Sequence, residues 1–174
     1  TTAQAAVLSA TATAALSTAS VAALSSTQVK AMSKEAVTAL TTAQVKALST
    51  SVVAALTTTQ LATFSSAEVA LLSTAQLKAL STSQVQALSV EGLAAFNTTQ
   101  MAALTTDVVA ALSATQIKGL TTAQVAAVTA IGTTNVNALT STQVAALTND
   151  QVASLSTTVT KNLSSTQLSG LSAS

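Results

Sequence analysis

A large apolar residue recurs every eight positions along this chain. The series runs from Leu8 through Met32, Phe64 and Phe96 to Val128, and resumes from Leu139 to Leu171. Lettering the octad a to h from this residue gives an idealised Leu-Ser/Thr-Thr-x-Gln-Val-x-Ala. A second apolar residue stands at f, three before the next a, as in Val45 with Leu48, Leu61 with Phe64 and Leu77 with Leu80. Position b, right after the large residue, is Ser, Thr or Asn, the residue types that cap helix N-termini. Position e is Gln or Glu in twelve octads, Gln28, Gln44, Glu68 and Gln167 among them. Ser/Thr-x-x-Gln/Glu is the capping box, in which two side chains satisfy each other's orphan backbone donors. A dozen in register predicts one short helix per octad, roughly c to a, restarted at each b.

The charges agree. Glu35, Glu91, Asp107 and Asp150 stand at d and Glu68 at e, in the predicted first turn, while Lys30, Lys46, Lys78, Lys118 and Lys161 stand at g near the other end. That is the order the helix dipole favours, and only Lys34, at c, departs from it.

Other periodic structures fail. In one continuous helix, eight residues at about 100° each would rotate the apolar stripe by about 80° per octad, so no face would stay buried. In a strand, a and f have opposite parity and cannot share a face. Burying f and a alone cannot offset the entropy of ordering eight residues. A lone octad therefore cannot fold, and the expected fold is an all-α solenoid or superhelix whose octads stack on their neighbours. Ala at h and small residues at d suit close approach between those helices.

A slower rhythm overlies the octad. Met32, Phe64, Phe96 and Val128, the exceptions to Leu at a, are 32 residues apart. Either four octads complete one superhelical turn, or a 32-residue unit was duplicated. The octads of 1–128 are followed by a three-residue insertion near 129–132, within "VTAIGTTNVNAL", and resume over 133–174. Gly132 suits a helix end, Thr133 or Thr134 suits the next cap, and an insertion at a surface turn is expected. The whole of 1–174 reads as a single array. Because it starts and stops in mid-pattern, it is expected to be a piece of a longer one.

Composition narrows the function. Six lysines, no arginine and five acids leave a net charge of +1, without the clustered basic footprint of a nucleic-acid binder. No run approaches the roughly 20 apolar residues of a membrane span, and no signal-peptide pattern opens the chain. Histidine, cysteine, tyrosine, tryptophan and arginine are absent. Serine and threonine without a neighbouring base are weak nucleophiles, and the acids are dispersed one to a repeat. Gly92, Gly119 and Gly170 form no phosphate-binding loop. No catalytic, cofactor-binding or metal-ligating residue is therefore expected, and no cofactor.

Units such as "LTTAQVKALST", "LSTAQLKAL" and "LTSTQVAALT" resemble the Leu-Thr-Thr-Ala-Gln-Val-Ala-Ala tandem repeats of very large bacterial secreted or cell-surface proteins. The resemblance covers nearly the whole chain and implies an extracellular or cell-surface setting. Some such proteins carry haem-utilisation labels, but Met32 and Met101 are the only candidate haem ligands, and their a and f positions point to packing. The resulting expectation is a non-catalytic structural array, a spacer or stalk of an adhesin-like protein. Its partners would be neighbouring repeats, with end-to-end or lateral self-association. The alternative is recognition of an ordered lattice such as ice through the threonines at c (Thr42, Thr50, Thr58, Thr74, Thr82, Thr98, Thr106, Thr122). Binding to a membrane surface would need a more basic polar face than six lysines supply.

Overall fold

The computed structural model describes residues 1–130 and 133–171, the side chains of 133 and 134 excepted. Among the described residues there are twenty-one short helices and no strand. The helices start at c, and the residue at b caps them. The Thr41 hydroxyl, for example, accepts from Gln44 N, and the Gln44 Oε1 accepts from Thr41 N at 2.7 Å. All twelve expected boxes form, including Thr121 with Gln124 and Ser164 with Gln167. Thr1 and Gln4 make a further one. An N-cap of this kind is worth about 1 kcal/mol. Five lysines lie in last turns, Lys30 and Lys46 among them, as the dipole favours.

The helices end earlier than the octad pattern suggests. Thr42–Ala47 stops at h, and Leu48 at a is already extended (φ −61°, ψ 136°), as is Ser49 at b (ψ 157°). Two extended residues therefore turn the chain between helices. The a side chain still reaches the core, because its N–H remains tied to the carbonyl at f, as in Leu48 N to Val45 O.

The chain divides into two compact units, Thr1–Leu88 and Ser89–Ser174. In the first, each helix packs on the helix three octads earlier: Thr18–Ala22 with Thr42–Ala47, Ser26–Ala31 with Thr50–Ala55, Lys34–Thr38 with Thr58–Leu61. Its glutamines at e reach one octad further back. Gln44 Nε2 donates to Leu16 O (2.7 Å) and Thr13 O (3.0 Å), at the end of the helix four octads earlier. Gln60 does the same to Met32 O and Val29 O, and Gln84 to Leu56 O. Each helix thus straddles the joint between two helices of the layer beneath. The carbonyl reached at a lies 28 residues back, three and a half octads.

The second unit repeats this arrangement. Val90–Ala94 packs with Ala114–Lys118, and Thr98–Ala102 with Thr122–Ala130. Gln124 Nε2 reaches Phe96 O, again 28 residues back. Across the insertion the spans lengthen by three residues, Gln143 to Leu112 and Gln151 to Leu120 at 31, and return to 28 at Gln167 and Leu139. The extra residues are thereby absorbed without disturbing the layer register. Part of them lengthens a helix rather than forming a surface turn: Thr122–Ala130 runs through Thr129, which is buried. Gly132 lies outside the described residues. The next helix begins at Thr133, so neither Thr133 nor Thr134 precedes it.

Two further expectations are corrected. A turn holds more than three and fewer than four octads, so the 32-residue spacing is not the turn. Met32, Phe64, Phe96 and Val128 are all buried, but their spacing overshoots the layer register by four residues. Duplication of a 32-residue unit accounts for it instead. Position d, given small residues for close approach, is exposed at Ser51, Thr99 and Thr115.

The close approach falls at h alone, which sits over c of the layer beneath, 29 residues earlier. A methyl group on Gly170 would lie 2.6 Å from the Ser141 carbonyl, and one on Gly119 would run into the Val90 Cγ1. Gly119 therefore answers a branched residue at c. Gly119→Ala is expected to lower stability by about 1–3 kcal/mol, the usual cost of overpacking. In thermal unfolding, adding Val90→Ala should restore most of the loss. No loss in the single variant would refute the pairing.

Candidate functional site

Position e is predicted as a cap at a solvated helix end, but the structure buries it. Gln44 and Gln151 are 2% exposed, and Gln60, Gln76, Gln84, Gln124, Gln143 and Gln167 lie within a few per cent of that. With a and f they complete the core. A buried amide needs both ends satisfied. In Gln60 the Oε1 accepts from Thr57 N (2.8 Å), at the start of its own helix. The Nε2 donates to Val29 O (2.9 Å) and Met32 O (2.8 Å), at the end of another. One side chain thus pairs the orphan donors of one helix N-terminus with the orphan acceptors of a C-terminus in the layer below. The amides recur from turn to turn and form the main buried polar constellation of each unit.

The insertion keeps this logic with a shorter side chain. Asn135, at e and buried, accepts from the Thr106 hydroxyl (2.7 Å) through Oδ1 and donates to Val128 O (3.2 Å) through Nδ2. Sequence reasoning missed Asn135 because its octad lacks both the a residue and the usual b residue.

Glu68 is the one acid among the twelve boxes. Its Oε2 accepts from Ser65 N and from the Ser65 hydroxyl, both at 2.7 Å, and the residue is 7% exposed. A carboxylate completes the box but has no N–H for the carbonyls of Leu40 and Val37, which occupy the register positions beneath it. Glu68→Gln supplies that donor and is expected to stabilise the chain by about 1 kcal/mol, about 2–4 °C in thermal melting. A lower melting temperature would mean that the charge at the helix N-terminus outweighs the inter-layer bond.

No group of three His, Cys, Asp or Glu side chains gathers among the described residues. Met32 and Met101 are buried at a and f, packed as their positions predict. Among the threonines at c, Thr50, Thr58, Thr98 and Thr122 are exposed, whereas Thr74, Thr82 and Thr106 are half-buried. Position c also carries the contact with h: Ser154 donates from its hydroxyl to the Thr122 carbonyl. In the first unit an open groove of about 540 Å³ runs between layers, lined by Lys30, Ala54, Leu56, Thr57, Thr58 and Leu80 among others. Its lining is methyl groups and hydroxyls with one charge. Among the described residues no helix is long and apolar enough to cross a membrane.

The model of the ALTTAQ repeat matches this chain in six overlapping segments, residues 14–58, 53–90, 69–106, 82–113, 93–130 and 128–157. Together they run from 14 to 157. No curated protein and no solved structure matches.

Proposed function

From the premise that this chain belongs to the ALTTAQ repeat family, we propose that it is a non-catalytic spacer or stalk of a large bacterial secreted or cell-surface protein of adhesin type. The observation that carries the reading is the uniform inter-layer joint. Each glutamine spends its amide on the neighbouring layer, as Gln44, Gln84 and Gln124 do, and so holds the array together rather than facing a ligand. A solenoid built this way adds length with each turn and needs only its neighbours for stability. Its exposed positions, mostly Ser, Thr and Ala with dispersed charges, suit a solvated shaft.

Solution scattering tests the shape this role requires. A compact domain of 174 residues has a radius of gyration of about 16 Å. The spacer reading expects the monomer to be clearly larger, and a value of about 16 Å would overturn it. For the setting, antibodies against the array are expected to label intact cells of the producing organism. Labelling only after permeabilisation would remove the surface assignment.

A further inference from the structure

The joint between layers is directional. The lower side of each layer offers the glutamine amide at e, the large residue at a and the residue at h. The upper side offers the f side chain and the carbonyls at a and f. Interior layers satisfy both sides, and the two end turns of the 174-residue chain each leave one side open.

In the first turn the f residues Ala5, Thr13 and Val21 are covered by the layer above. Leu8, Leu16 and Leu24 at a are only half-buried, whereas Met32, Leu40, Leu48 and Leu56 are all within 4% of full burial. Val7 at h is 81% exposed. Gln28 keeps its capping box, but its Nε2 makes no bond of the kind Gln60 makes one turn later. Gln4, Leu8, Leu16, Leu24 and Gln28 line an open hollow of about 240 Å³. In the last turn the pattern is inverted. Gln151, Val159 and Gln167 at e are covered, while Thr160 and Leu168 at f are exposed, Leu168 by 46%.

We infer that a second copy of this chain docks its last turn against the first turn of its neighbour, head to tail, continuing the layer joint between molecules. The amides of Gln4 and Gln28 then donate to carbonyls at a and f of the neighbour's last turn, and Leu168 enters the hollow beside Leu16 and Leu24. The chemistry of the occupant is set by the interior layers, where the same residue positions meet octads in this orientation only. Such a contact is heterologous, so it does not close at a dimer but grows into an open filament. The inference rests on the repeat-array reading and is separate from the spacer role.

Sedimentation of the 174-residue chain over a range of concentrations tests it. The wild-type chain is expected to form an open series of dimers, trimers and longer species. Gln28→Glu disables the head by exchanging donor for acceptor, and Leu168→Lys disables the tail. Each alone should associate about tenfold more weakly or worse, with helical circular dichroism unchanged because both side chains are free of the layer packing. An equimolar mixture of the two should stop at dimers, since each partner supplies the end the other lacks. A wild-type chain that stays monomeric overturns the inference, as does Leu168→Lys associating like wild type, which would indicate head-to-head pairing. Scattering from the Gln28→Glu monomer tests the spacer separately: an elongated particle that never associates sinks only this inference, and a compact one that does sinks only the spacer.

Discussion

Gln60→Glu is expected to cost about 2–4 kcal/mol at neutral pH, although it alters one group of atoms and preserves the capping box. The carboxylate can still accept from Thr57 N through one oxygen. Its other oxygen would face the carbonyls of Val29 and Met32, where the native Nε2 donates at 2.9 and 2.8 Å. Two buried acceptors lose their donor and meet a like partial charge. Protonation returns one O–H donor, so the variant's carboxyl should be more basic in the folded than in the unfolded chain. The folded state then binds protons more readily, and the deficit should shrink as pH falls towards about 4. Urea unfolding at pH 7 and pH 4 measures both effects. Gln28→Glu is the control: with no layer beneath it, it should change monomer stability by less than about 0.5 kcal/mol. Equal effects at the two positions would mean that the inter-layer bonds contribute nothing.

Leu61→Ala should cost about 2–5 kcal/mol, the range for a fully buried leucine whose cavity cannot collapse. Leu61 lies at f, 0% exposed, in the helix Thr58–Leu61 that packs between Lys34–Thr38 and Thr82–Gln86. In a fold where each helix meets only near layers, the loss should also be local. Amide exchange is expected to quicken in those three helices and their neighbours, while the helices from Thr133 onward keep their protection. Uniform acceleration along the whole chain would show a single cooperative core and refute the layered account.

Much of this fold is legible in the residues. Hydroxyls at b followed by Gln at e place every helix start, and the registers of a and f identify two of the three buried positions. The third was signalled but not read. Glu serves a capping box as well as Gln and suits the helix dipole better, yet eleven of the twelve boxes use Gln and only Glu68 departs. A bias towards the neutral amide where the acid would do marks a second demand, for a donor at Nε2. The misread d position has a different cause. Small side chains at d and h look alike in a one-dimensional pattern, and only the packing direction separates h, pressed on c below, from d, open to water.

Local chemistry explains the division. Capping, dipole and periodicity act within one octad, so the order of amino acids by itself determines that this chain is a row of brief, capped helices that must stack. The number of octads in a turn depends on the angle left by the two extended residues at a and b and on which carbonyl an amide meets 28 residues back. Those are relations between octads that are nearly identical in sequence, so no residue distinguishes the partner at 24, 28 or 32. Tertiary packing alone decided it, by selecting the stagger in which buried donors and acceptors are paired.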